Sequence, residues 1–208
     1  MIDPRITDHL KESGVSHAVI GAVSLAVHGA PRYSDDLDIL VTDTSVLDRY
    51  FWIGADITPT EIRRGDWDDP LAGVVDFPIE PGEIPVQLVV GKGYAPRVAL
   101  ETAEENPMLQ CPVVSPLGLA LLKLEAGGIR DLQDLVALDE AQRILTGWRM
   151  LQAVEPHITN LSRNAQDAWN RLQVLSSPRL EHPKPIASPP VVPKTPPKDD
   201  PGSRGRSR

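Results

Sequence analysis

The chain has 208 residues, of which 41% are hydrophobic and 24% charged, with a net charge of −8 and a sequence pI of about 5.1. A single cysteine, Cys111, excludes an internal disulfide and a cysteine-rich zinc site, and the acidic balance excludes attraction of nucleic acid over the whole surface. No apolar run approaches the roughly 18 residues of a membrane span, and the start Met1-Ile2-Asp3-Pro4-Arg5 lacks the apolar core of a secretion signal, so a soluble cytoplasmic protein without membrane contact is expected.

Taken in chain order, Arg5 to Ser13 reads as a short helix closed by Gly14, and Ala18 to Ile20 as a short buried strand. Ser24 to His28 begin a second helix, entered through Gly21. A strand, turn and helix joined in this way present unpaired backbone N–H groups and the positive end of a helix dipole, which favours an anion. The next strand is Leu37 to Val41, and with alternating side chains Asp36 and Asp38 point to one side. Two like charges so placed raise each other's pKa unless a cation lies between them, and a divalent ion is the simplest remedy.

Further along, Asp43 reads as the N-cap of a helix over 45–53 with Leu47, Tyr50 and Phe51 on one face. The charged, aromatic-studded residues 61–69 predict an irregular or hairpin segment beside the site. Residues 74–77 and 86–90 predict strands joined by a Pro81-Gly82 turn. Helices are predicted over 94–105 and 116–126 with a short strand at 113–114 between them. Lys123 stands inside the run Leu119-Ala120-Leu121-Leu122-Lys123-Leu124, too apolar for a solvated face, so its ammonium is expected to reach a site. Residues 132–144, 147–154 and 161–175 read as helices, the last amphipathic through Leu161, Ala165, Ala168, Trp169 and Leu172.

The order is α/β first and mostly α afterwards. It predicts an α+β fold in which a small mixed β-sheet with flanking helices carries the site over residues 1–140, and a helical extension over 141–177 packs on it. Residues 178–208 hold 9 of the 21 prolines and predict a disordered, basic tail. Seven Lys and Arg against three Asp and Glu make that tail +4 and leave −12 for the rest.

The segment Gly21-Ala22-Val23-Ser24, followed by His28-Gly29-Ala30-Pro31-Arg32-Tyr33-Ser34 and then Asp36-Leu37-Asp38, resembles the signature of the polymerase-β-like nucleotidyltransferases. Within that superfamily it is similar to the small bacterial branch of abortive-infection and type IV toxin enzymes. The helix from Ser115 to Ala126 with Lys123, and the Arg130-Asp131-Leu132-Gln133-Asp134 segment after it, extend the resemblance over roughly residues 15–140. It implies a nucleotidyltransferase fold in which Asp36 and Asp38 hold Mg²⁺ or Mn²⁺. Gly21 and Ser24 would cradle the phosphates of an NTP, and Lys123 with Arg32 would neutralise charge as pyrophosphate leaves. The acceptor implied is a hydroxyl of RNA, tRNA included, or of a protein, and a restraining partner such as a cognate antitoxin goes with that branch.

One departure stands out. The family carries a third carboxylate on a neighbouring strand, and the matching strand here, Ile84 to Val90, has Gln87 as its central polar residue. Glutamine coordinates through its carbonyl oxygen but brings no charge and takes no proton. Asp76, Glu80 and Glu83 are the alternative sources of the missing group. A catalytically degenerate protein that binds nucleotide or a partner without turnover is therefore the alternative reading, and a scaffold whose Pro-rich tail docks on a partner is a weaker third.

Overall fold

The computed structural model describes residues 2–66, 69–78 and 84–176; the Pro81-Gly82 turn, Glu80, Glu83 and the tail from residue 178 lie outside them. The protein is a mixed α+β fold built on a seven-stranded sheet of order β3-β4-β5-β2-β1-β7-β6. Its strands are β1 His17–Val19, β2 Leu37–Val41, β3 Glu61–Arg64, β4 Leu71–Asp76, β5 Val86–Gly91, β6 Glu104–Asn106 and β7 Cys111–Val113. The pairs β1·β7 and β2·β5 are parallel and the other four are antiparallel.

Among the described residues seven α-helices surround the sheet: α1 Pro4–Glu12, α2 Gly21–Val27, α3 Tyr94–Glu101, α4 Pro116–Ala126, α5 Ile129–Thr146, α6 Met150–Val154 and α7 Arg163–Ser176. Local chemistry sets several of their ends. Asp3 caps α1 by accepting from the Arg5 N–H at 2.9 Å, with Pro4 in the first turn, where a missing N–H costs nothing. Ser115 caps α4 in the same manner through the Gly118 N–H at 3.1 Å, and α4 ends at Gly127 in the left-handed conformation.

The two faces of the sheet are covered differently. On one, Val19, Ile39, Val41, Leu88 and Val90 pack under α1 and a pair of 3₁₀ turns. There His9, Phe51, Trp52 and Phe77 make a chain of edge-to-face and tilted ring contacts, and the Trp52 indole N–H donates to the Val46 carbonyl at 2.9 Å. On the other face Ala18 and Leu40 lie under helices α3 to α7. Helix α4 is apolar on nearly all sides because it is the centre of this layer: Leu119, Leu121 and Leu124 are fully buried, each contributing about 1.5–3 kcal/mol of transfer free energy. Among the described residues no helix is long and apolar enough to cross a membrane.

Two expectations fail locally. The predicted helix over 45–53 is two 3₁₀ turns, Thr44–Leu47 and Arg49–Trp52, because Asp48 restarts the chain by accepting from the Tyr50 N–H at 2.9 Å. Tyr50 is consequently exposed. The helix predicted to run to residue 105 stops at Glu101, and Glu104–Asn106 instead pairs with β7 as an edge strand.

Candidate functional site

The site forms where β1 turns into α2 and where α4 passes the head of β2. Gly21 adopts φ +66°, and a Cβ added there would collide with the Asp38 carboxylate, so the bare glycine lets that carboxylate lie against the turn. Asp38 is half-buried, and among the described residues no hydrogen bond or ion pair reaches its side chain. Its carboxyl is pushed up to about 6, first by burial and then by the charge of Asp36, while the Arg32 and Lys123 cations pull the other way. Asp36 is exposed and accepts from the Ser34 hydroxyl at 2.7 Å.

A hollow of about 170 Å³ gathers Gly21, Arg32, Asp38, Lys123 and Asp131. These five come from four separate elements and a loop, so the tertiary fold has brought them together. Through Ile20, Leu122 and Ala126 the hollow continues into an apolar slot of about 260 Å³ walled by Leu40, Leu71, Val89 and Pro96. Ser24 does not line the hollow; its hydroxyl is fully buried in α2 and has no hydrogen-bond partner among the described residues. His28 is held by main chain, with its Nε2 2.7 Å from the Val114 carbonyl oxygen.

Lys123 is buried and already paired. Its Nζ lies 2.6 Å from Asp134 Oδ2 and 3.1 Å from Asp131 Oδ1, and Arg32 Nε donates to the same Asp134 oxygen at 3.1 Å. Asp131 and Asp134 are thus counter-ions to the site's two cations. The sequence places them in a helix start, but nothing local to it says that the corner at Gly127-Gly128 folds residues 131 and 134 back onto 123.

On the sheet, Asp38 registers with Gln87 of β5, Gln87 with Asp76 of β4, and Asp76 with Glu61 of β3. The four side chains form a row across one face. Gln87 Nε2 donates to Asp76 Oδ1 at 2.7 Å, and the Arg63 guanidinium binds the other Asp76 oxygen at 2.8 Å. Among the described residues the carboxylate bonded to Gln87 therefore lies one strand beyond it, on β4, and is also held by Arg63. Among the described residues no three His, Cys, Asp or Glu side chains cluster to hold a metal.

No protein-family model matches the chain, and no curated protein matches it in sequence. Two solved structures are similar to it in fold. The solution structure of the antibiotic-resistance factor ANT(2'')-Ia is 8% identical with a TM-score of 0.46, over 75% of this chain and 89% of that one. The crystal structure of an antigenic nucleotidyltransferase-like protein from Paracoccidioides brasiliensis is 16% identical with a TM-score of 0.47, over 82% of this chain and 85% of that one.

The donor set fits a divalent cation at its inner end. Asp38 is half-buried, its carboxylate has no hydrogen bond or ion pair among the described residues, Asp36 is two residues away, and oxygen ligands of this kind suit Mg²⁺ or Mn²⁺. The outer end of the row fits less well, since Gln87 is neutral and Asp76 is bound to Arg63.

Proposed function

We propose that this chain is a metal-dependent nucleotidyltransferase that moves a nucleoside monophosphate from an NTP to a hydroxyl of RNA or of a protein. The observation that supports it is the convergence of Gly21, Arg32, Asp38 and Lys123 on one hollow. A glycine turn, two cations and a carboxylate that lacks a counter-ion are the parts a triphosphate with its metal requires.

Asp36 and Asp38 would hold the ion. When bound, it supplies charge neutralisation at the reacting phosphate and orients the phosphate oxygens. The bare backbone at Gly21 lets the Asp38 carboxylate lie against the turn, where an ion held on it would face the phosphates. Lys123 and Arg32 face the hollow where negative charge accumulates on the departing pyrophosphate, and most of the rate comes from positioning and from this charge stabilisation. The slot beside them suits a nucleobase, being walled mostly by aliphatic side chains, with Asp69, Lys92 and Glu125 also lining it, and too small for a macromolecule. The RNA or protein acceptor then approaches across the open row of Asp38, Gln87 and Asp76. With Gln87 in that row, taking the proton from the attacking hydroxyl is the weakest step. A toxin-like role, with a partner protein that restrains it, fits this reaction.

The second reading, a nucleotide-binding protein without turnover, is favoured by Gln87 and by the pairing of both cations with Asp134. One experiment separates the two. NTPs labelled at the α-phosphate are incubated with Mg²⁺ or Mn²⁺, total RNA and soluble protein, beside the Asp36→Ala/Asp38→Ala variant, and metal binding is followed by thermal shift. Label that requires the two carboxylates supports the enzyme and its acceptor class. Carboxylate-dependent metal and nucleotide binding without label supports the second reading, and absence of both sinks the assignment.

A further inference from the structure

Lys123 has two carboxylate partners, and they are not equivalent. Asp134 lies 2.6 Å from its Nζ, its side chain is only 11% exposed, and it is shared with Arg32. Asp131 lies 3.1 Å away, its side chain is 27% exposed, and it lines the hollow. The difference follows from the corner between α4 and α5. Gly127 at φ +63° turns the chain, and α5 then presents Asp131 in its first turn over Gly128. A side chain at 128 would crowd the Asp131 carboxylate, whose Oδ2 would be 2.9 Å from the added Cβ.

Resting on the nucleotide reading above, we propose that Asp131 is a built-in competitor for the phosphates, a carboxylate that holds Lys123 while the site is empty and that an incoming di- or triphosphate must displace. An ammonium has three protons; Asp134 takes one from inside the fold, and Asp131 takes another on the side from which a phosphate arrives. A phosphate in the hollow meets Lys123 and Asp131 together, so part of the attraction is cancelled by like charge. Asp131 thereby sets phosphate affinity, keeping Lys123 poised when the hollow is empty and speeding the departure of pyrophosphate. Asp134, which does not line the hollow, has the different task of fixing Lys123 and Arg32 in place.

The test uses the full chain and pyrophosphate alone as the probe, by isothermal titration in metal-free buffer, with NTP plus Mg²⁺ titrated in parallel. Asp131→Asn should bind pyrophosphate about ten-fold tighter than the unmodified chain, with a steeper loss of affinity as salt is added. In turnover it should lower KM for NTP and lower kcat, because product leaves more slowly. Asp134→Asn should not tighten binding. Asp131→Ser provides a second variant should Asp131→Asn fail to fold. Unchanged or weaker pyrophosphate binding by Asp131 variants whose NTP binding persists overturns the competitor role and leaves the nucleotide reading standing. Failure of the unmodified chain to bind either probe overturns both.

Discussion

The two walls of the site are in opposite states. The sheet wall carries Asp38, to which among the described residues no cation is hydrogen-bonded or ion-paired, with exposed Asp36 in the bend before the strand, whereas the facing helix wall, Lys123 of α4 with Arg32 of a neighbouring loop, is a cation pair already matched by Asp131 and Asp134. One wall carries an unpaired carboxylate and the other is held together by its own counter-ions. The lesson is that charge in a site has to be counted with its partners: the helix wall carries two formal positive charges but a net charge close to zero.

This contrast can be broken from either side. The largest effect is expected from Asp134→Ala, which takes from a lysine whose side chain is 7% exposed its nearer and more buried partner, leaving it only Asp131, and removes the hydrogen bond to Arg32. Breaking a buried pair in this way costs about 3–5 kcal/mol, read as a drop in the denaturation midpoint; a loss under about 1 kcal/mol would show that the pairing is solvated.

Asp38→Ala should have the reverse profile, eliminating metal-dependent transfer while the fold stays intact. The sign of its pH effect follows from the raised pKa. Without metal, the folded protein keeps the Asp38 proton up to about pH 6 while the unfolded chain loses it near 3.8, so stability falls as pH rises through that window. Thermal denaturation in chelator across the window should show this fall in the unmodified chain and a weaker one in the variant. An identical fall in both would place the titration elsewhere.

Gly21→Ala tests the contact between the walls' common turn and Asp38. The left-handed backbone and the collision with the carboxylate should cost about 1–3 kcal/mol and weaken the metal-induced thermal shift. Retention of that shift would mean that the carboxylate is free to move aside. The smallest change is expected from Gln87→Asp alone, which sets a new charge beside Asp76 and between two existing carboxylates. Combined with Asp76→Asn it should raise turnover several-fold over either single variant, and a combined variant no faster than the unmodified chain would remove Gln87 from the third position.

Much of the sheet wall was legible in the sequence. The strand 37–41 and the helix 116–126 match the structure residue for residue, because their signals are local: a short β-rich apolar run in one, a Ser-Pro start and a glycine stop in the other. The helix wall was legible only in its parts. Lys123 and Asp134 sit 11 residues apart with a bend between them, and no periodicity reports a contact made by that bend. The row from Asp38 to Glu61 was hidden for a related reason, since register between β2 and β5 is set by the packing of residues far apart in the chain. Asp48 and Thr102 misled at short range. Asp48 looks like a tolerable helix residue until its side chain caps a fresh turn, and Thr102 ends α3 with its hydroxyl on the Val98 carbonyl at 2.8 Å and near the Ser115 hydroxyl.

Neighbouring strands are about 4.8 Å apart, and that is the whole displacement between the position of Gln87 and the carboxylate of Asp76. In evolutionary terms the glutamine and the aspartate are each other's mirror across one ladder step, and exchanging them takes two substitutions and leaves the protein's net charge untouched. A sheet of this kind could shift that carboxylate from one strand to the next without redesigning a strand, a loop or a core.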